Sequence, residues 1–200
     1  MTFDFSSRGR CKVKMDGYVE DLLIFFDKIT GVSKTPAGEN LFKIDEKSEL
    51  LEDADKEFFH SATAKLLYLG KRVRPDILTS ISFLVKRVQK PTKQDMDKLH
   101  RVIKYIRATR DLGIILEADK NLAVYAYVDA SYGVHSDMKS HTGAVIGIGK
   151  GPVYSKSSTQ KMNTKSSCEA ELIGLSDTTE HILWVRNFLV GQGYIVEPYH

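Results

Sequence analysis

The sequence predicts an α+β protein in which a helical first half precedes a region of strands and one long helix. Before Arg110, apolar residues recur every three or four positions, which is the spacing of amphipathic helices. After Asp111, apolar and polar residues alternate, which is the spacing of half-buried strands. This change predicts two regions, residues 1–110 and residues 111–200, and there is no internal repeat.

Four helices are predicted in the first region. Asp16 opens the first of them behind a short extended segment, and a loop rich in turn formers follows at 31–38. Pro75 occupies a favourable first-turn position, and Thr92 is a suitable N-cap. The later helices are therefore expected over residues 57–69, 75–89 and 93–109.

Strands and one long helix are predicted in the second region. Alternation places the strands at 113–117, 122–129, 142–148 and 152–156. Turn-forming residues at 119–121 separate the first two, and the glycines of 149–151 predict a hairpin between the last two. A helix is expected over 167–190, and residues 194–196 have the pattern of a further strand.

Composition and the terminal sequence argue against several classes of protein. The chain is 42% hydrophobic and 28% charged, which is the balance of a globular protein. Its longest apolar run, residues 122–128, is too short to span a bilayer, and the N-terminus lacks the apolar stretch of a signal peptide. Cys11 and Cys168 have no CxxC partner. We therefore expect an intracellular protein, cytoplasmic or nuclear, with no membrane anchor and no disulfide framework.

Charge is segregated along the chain, although the formal net charge is only +3. Residues 45–57 carry a net charge of −5, and residues 71–110 carry +9. In the fourth predicted helix, Lys98, Arg101 and Lys104 lie opposite the apolar stripe, and we call these three residues the basic ridge. A basic ridge suits contact with a phosphate backbone, but the same pattern is typical of solvated surface helices. Both interpretations stay open at this point.

Asp129 ends an apolar strand and is one candidate for chemistry. Alternation along 122–129 places Asp129 on the face opposite Val124 and Val128. An aspartate followed by Ala-Ser-Tyr-Gly also has a plain structural explanation, because it can cap a turn. The pattern alone favours the turn.

Two glutamates near the start of the long helix need different explanations. Ser166 and Glu169 fit a capping box, which accounts for Glu169. Glu171 lies at the edge of the predicted apolar stripe, where a desolvated carboxylate needs a positive partner. A divalent metal shared with Asp129 is one such partner, and an Arg or Lys side chain is the other. The predicted stripe consists of Leu172, Leu175, Ile182, Leu183 and Leu189.

His135 and His141 are weaker candidates for metal ligands. They flank the loop that follows the Asp129 strand. No third ligand is near them in the sequence, so the pattern does not predict a metal site there.

Several motifs together resemble the ribonuclease H domain of copia-type retrotransposon Pol polyproteins. They are residues 127–143, which begin Tyr-Val-Asp-Ala-Ser, residues 156–161, and residues 164–177 with their Ser-Ser-Cys-Glu-Ala-Glu core. Upstream, residues 66–78 and 104–113 resemble the end of the same family's reverse transcriptase, its thumb and connection. The resemblance covers nearly the whole chain.

The resemblance implies a function for the two carboxylates. The family has a ribonuclease H-like mixed sheet with a long helix, binds an RNA–DNA hybrid, and cuts the RNA strand with two Mg²⁺ ions. The first metal-binding aspartate of its motif falls on Asp129 and the helix glutamate on Glu171. Carboxylates suit this role because Mg²⁺ prefers hard oxygen ligands. Lys98, Arg101 and Lys104 would then contact nucleic acid.

The departures from the family pattern lead us to expect an incomplete enzyme. The polymerase signature Tyr-x-Asp-Asp is missing, and so is the Asp-Asn motif that carries the family's later metal-binding aspartate. We therefore expect thumb and connection over 1–110 and a partial ribonuclease H domain over 111–200, with poor turnover or none. The alternatives are a non-catalytic nucleic-acid-binding module and a decayed retroelement remnant. The remainder of a polyprotein is an expected partner.

Overall fold

The computed structural model describes residues 1–118 and 122–196 of the chain. The chain divides into two compact units, the first formed by Lys14–Gly113 with Met1–Thr2, and the second by Phe3–Val13 and the residues from Ile114 onward. The predicted α+β class is confirmed, because helices and antiparallel sheets are both present. The predicted turn at 119–121 lies outside the described residues.

The first unit is built from helices. In chain order they are α1 (Asp16–Phe25), α2 (Asp53–Arg72), a 3₁₀ turn (Pro75–Ile77), α3 (Leu78–Val85) and α4 (Lys93–Ala108). The predicted helix 75–89 is therefore shorter than expected. After Val85 the hydrogen bonds change from the α-helical to the 3₁₀ spacing, because the Lys86 N–H donates to the Phe83 carbonyl at 3.2 Å. Pro91, farther along, cannot continue a helix.

Side chains from three helices form the interior of the first unit. The apolar stripe predicted for α4 consists of Met96, which is half-buried, and of Leu99, Val102, Ile103 and Ile106. Four of the five residues of this stripe are buried, and they face apolar residues of α2 and α3. The most deeply buried of these side chains are Phe59, Leu66, Leu69, Ile81, Leu84, Leu99, Val102 and Ile103.

The predicted N-cap of α4 is confirmed. Thr92 and Asp95 form a reciprocal capping box, in which the Thr92 hydroxyl accepts from the Asp95 N–H and the Asp95 carboxylate accepts from the Thr92 N–H. The box satisfies two N–H groups that the first turn of a helix leaves without an intrahelical partner.

Strands form two sheets. In chain order the strands are β1 (Thr2–Asp4), β2 (Cys11–Lys14), β3 (Ile114–Ala118), β4 (Tyr125–Ser131), β5 (His141–Gly147), β6 (Gly149–Lys150) and β7 (Tyr154–Thr159). One sheet has the order β1-β2-β3-β6 and the other the order β4-β5-β7. Both sheets are antiparallel rather than mixed.

The last helix is α5 (Ser167–Gly191), close to its predicted bounds. The strand predicted at 194–196 is wrong, because these residues have no regular secondary structure. Gly193 adopts a φ of 85°, and the Tyr194 N–H turns back to the Leu189 carbonyl at 3.2 Å, which closes the helix instead of starting a strand.

The predicted hairpin is confirmed, because β5 and β7 pair antiparallel with Ile146 opposite Tyr154, and the connection between them contains β6. Gly149 and Lys150 form β6, which pairs with Ala118 and Glu117 of β3. Gly151 has a φ of 80°, and a Cβ there would lie 2.1 Å from the Ile115 carbonyl oxygen. Only glycine permits this backbone approach.

One face of the β4-β5-β7 sheet packs against α5. The buried cluster joins Val124 and Ile146 of the sheet side to Ile182, Val185 and Leu189 of the helix. No helix in the described part of the chain has both the length and the apolar character that crossing a membrane requires.

Candidate functional site

Asp129 lies near the end of β4 and is exposed. Its neighbour Val128 points toward α5, since a Cβ on Gly174 would lie 3.5 Å from the Val128 Cγ1 atom. Alternation therefore directs Asp129 to the other face, in register with Gly143 of β5. The carboxylate is accessible and does not belong to the core.

Glu171 lies in the second turn of α5, and its side chain extends to the end of β4. Its Oε1 atom accepts the Ala130 N–H at 3.2 Å. Ala130 directly follows Asp129, so the helix glutamate and the residue next to the strand aspartate are in contact. The sequence offered a metal or a basic side chain as the partner of Glu171, and the structure shows a backbone amide.

The two carboxylates suit a divalent cation in chemical type. Both residues are exposed, and neither takes part in an ion pair within the described ranges. Mg²⁺ prefers such hard oxygen ligands and keeps several waters. No group of three or more His, Cys, Asp or Glu residues arranged to hold a metal occurs in residues 1–118 and 122–196.

The capping box predicted at the start of α5 is half correct. The Ser166 hydroxyl accepts the Glu169 N–H at 3.1 Å, as predicted. The Glu169 carboxylate, however, accepts the Lys165 N–H at 2.7 Å rather than that of Ser166. Glu169 therefore fixes the helix start, and Glu171 remains available for another role.

The apolar stripe predicted for α5 is wrong at three of its five positions, and Ile182 and Leu189 are buried as predicted. Leu172, Leu175 and Leu183 are 63%, 50% and 43% exposed, and Glu171 is exposed rather than desolvated. Small residues near the start of the helix allow it to approach the sheet closely, and larger ones fill the interface farther along. The buried residues are Ala170, Gly174, Thr178, Ile182, Val185 and Leu189.

The basic ridge of α4 contacts a loop of its own unit. The Lys98 Nζ donates to the Lys43 carbonyl at 2.6 Å, and the Arg101 Nη2 donates to the Thr35 hydroxyl at 2.8 Å. Burial lowers the pKa of the Lys98 ammonium group. Lys104 lines the same cleft of about 490 Å³ between α4 and the loop. The role of the ridge in binding nucleic acid stays a prediction.

Sequence reasoning missed a histidine pair. His135 Nε2 and His141 Nδ1 lie 3.1 Å apart in a buried position, and His141 Nε2 lies 2.7 Å from the Ser157 hydroxyl. The β4–β5 loop turns back on itself and brings the two rings together. Their spacing of six positions in the sequence gives no local signal for this contact.

Cys11 and Cys168 are both free thiols.

Comparison with known proteins relates the chain to transposon polyproteins. It is 29% identical over 140 residues to the retrovirus-related Pol polyprotein from transposon RE1 of Arabidopsis thaliana, covering 70% of this chain and 10% of that protein. The corresponding polyprotein from transposon RE2 of the same plant is 30% identical over 140 residues, again 70% of this chain and 10% of the relative. The chain thus spans about a tenth of these relatives.

Shorter relatives match as well. An uncharacterized mitochondrial protein of Arabidopsis thaliana is 30% identical over 131 residues, which are 65% of this chain and 54% of that protein. No protein-family model matches the chain, and no solved structure matches it.

The chain is thus similar to segments of retroelement polyproteins. More closely, its homologues are copia-type retrovirus-related Pol polyproteins, and the predicted resemblance to this class of polyprotein is confirmed.

Proposed function

We propose that the second unit is the ribonuclease H-like part of a retroelement Pol polyprotein. In this proposal its ligand is an RNA–DNA hybrid, and Asp129 and Glu171 hold Mg²⁺. The observation that carries the proposal is the Glu171 contact with Ala130, because it brings the helix carboxylate to the residue beside Asp129.

Each residue has a defined role in this proposal. When bound, Mg²⁺ supplies Lewis-acid activation of a water and neutralises charge on the phosphate. Asp129 and Glu171 provide the oxygen ligands. Because Glu171 also accepts an N–H of the strand, the hydrogen bond can restrict its side chain before the cation arrives.

Turnover by the 200-residue chain is expected to be slow. The parent family uses a two-metal site, and a pair of ions needs more carboxylates than Asp129 and Glu171 alone would supply. We propose the remainder of a polyprotein as the partner that would supply further ligands. The basic ridge (Lys98, Arg101, Lys104) is the proposed phosphate contact of the first unit.

Mg²⁺ binding tests this proposal most directly. We expect Asp129→Asn and Glu171→Gln each to weaken Mg²⁺ binding at least about tenfold in isothermal titration, because each removes a charged ligand. Asp177→Asn is the matched control, since Asp177 is an exposed acid on the same helix.

Hybrid binding and cleavage are measured on the same proteins. Equal Mg²⁺ affinity in wild type and Asp129→Asn would contradict the proposed site. Rapid cleavage of the RNA strand that Asp129→Asn abolishes would confirm the site and contradict the expected slow turnover.

A further inference from the structure

Gln160 directly follows β7 and is only 2% exposed. Its Nε2 donates to the Thr142 hydroxyl at 2.9 Å and to the Ala170 carbonyl at 2.8 Å. Its backbone N–H donates to the Ser140 carbonyl at 2.9 Å. One side chain therefore joins the end of β7, the start of β5 and the first turn of α5.

The contact with α5 falls one residue before Glu171. A hydrogen bond to the Ala170 carbonyl restrains both the axial position and the rotation of the first turn. Gly174, one turn later, brings the helix so close to the sheet that a Cβ there would lie 3.3 Å from Thr142. Thr142 is thus held by the helix on one side and by Gln160 on the other.

We infer that Gln160 is a positioning residue for the carboxylate pair. Its amide fixes the first turn of α5 on the sheet, so that Glu171 reaches the Ala130 N–H at the end of β4. The catalytic significance of this arrangement rests on the proposed function. The positioning itself is a property of the fold.

The unfavourable burial of the Gln160 amide supports a role for its hydrogen bonds in positioning α5. Its Oε1 atom is buried with no hydrogen-bond partner among the described residues. An unpaired buried carbonyl is unfavourable, and an apolar side chain of similar length would avoid that cost. What an apolar side chain cannot supply is the pair of N–H groups that join Thr142 to Ala170.

Hydrogen exchange at Ala130 tests the inference without metal or hybrid. We expect Gln160→Met, which keeps the length of the side chain, to speed exchange of the Ala130 amide by about 3–10-fold relative to amides within β5. Thr178→Val is the matched control, because the Thr178 hydroxyl is also buried on α5 but, among the described residues, bonds within the helix, to the Gly174 carbonyl. In this variant Ala130 should exchange as in wild type.

Two further measurements separate positioning from stability and from function. Gln160→Glu keeps the shape and removes the amide donors, so it should speed Ala130 exchange even if Gln160→Met fails to fold. Mg²⁺ affinity should fall about 3–10-fold in both Gln160 variants and stay unchanged in Thr178→Val.

Unchanged relative exchange of Ala130 in a folded Gln160 variant would overturn the inference. Equal acceleration in Thr178→Val would do the same. If the wild type binds no Mg²⁺ while Ala130 responds to Gln160, then the proposed function fails and the positioning role stands.

Discussion

Arg74 and Asp95 of the first unit and Asp129 and Glu171 of the second lie in opposite environments. In the first unit Arg74 is 1% exposed and Asp95 is 0% exposed, and each is paired with several groups. In the second unit Asp129, near the end of β4, and Glu171, in the second turn of α5, are both exposed. The difference teaches that Arg74 and Asp95 hold the helices of the first unit together, whereas Asp129 and Glu171 lie at the surface of the second.

The buried guanidinium of Arg74 makes several hydrogen bonds inside the helical unit. Its guanidinium donates to both carboxylate oxygens of Asp76 and to the carbonyl and hydroxyl of Thr109, with distances of 2.7 to 3.2 Å. The ring of Tyr105 lies 5.4 Å from the guanidinium carbon. Burial raises the pKa of that tyrosine. The guanidinium joins the segment before α3 to the end of α4.

The largest expected effect comes from a substitution that breaks the buried charge network at Asp95. Its carboxylate accepts from the Thr92 N–H and hydroxyl and from Arg87 Nε at 3.0 to 3.1 Å. We expect Asp95→Ala to lower the free energy of unfolding of the first unit by about 3–5 kcal/mol, because the cap is lost and Arg87 loses its partner. Hydrogen exchange of the slowest α4 amides measures the change.

Variants at exposed acids complete this test of the comparison. Asp97→Ala, on the same helix but exposed, should leave those amides unchanged. Asp129→Asn and Glu171→Gln should likewise not lower the stability of the second unit. A stability loss at Asp129 as large as that at Asp95 would contradict the comparison, because it would show that Asp129 also stabilises its own unit.

The next largest effect concerns the two faces of α5. Leu189 is 7% exposed in the buried cluster, whereas Leu183 is 43% exposed. Leu189→Ala should destabilise the second unit by about 2–4 kcal/mol, because it leaves a cavity against the sheet. Leu183→Ala should cost well under about 1 kcal/mol. Hydrogen exchange of the slowest α5 amides measures the stability of this unit. Equal losses would show that the face assignment is wrong.

Local features were predictable and long-range ones were not. The Thr92 cap, the strand ending near Asp129 and the bounds of α5 depend on neighbouring residues, so the sequence contains the signal. The buried face of α5 was partly missed because apolar residues surround that helix, and periodicity then cannot choose a face.

The site itself shows the same limit. The sequence indicated Asp129 and Glu171 as candidate metal ligands. It did not indicate that Glu171 would accept a hydrogen bond from the Ala130 amide, 41 residues away in sequence. Nor could it show that Gln160 would join three segments, since such contacts depend on tertiary packing rather than on local spacing. The hydrogen bonds that Lys98 and Arg101 donate to loop residues 55 and 66 positions earlier are also long-range contacts that the sequence did not indicate.

The smallest expected effect tests whether the first unit also contributes to binding through its basic ridge. Lys98 and Arg101 already donate to loop oxygens, so Lys104 should contribute most among the three. Each phosphate contact contributes about one unit to the slope of log affinity against log salt, because counterions are released from the nucleic acid. Lys104→Gln should therefore reduce the slope for an RNA–DNA hybrid by about one unit. Lys56→Gln, in the acidic segment of α2, is the control and should leave the slope unchanged. An identical slope in Lys104→Gln and wild type would mean that the ridge, like Arg74 and Asp95, only holds its own unit together.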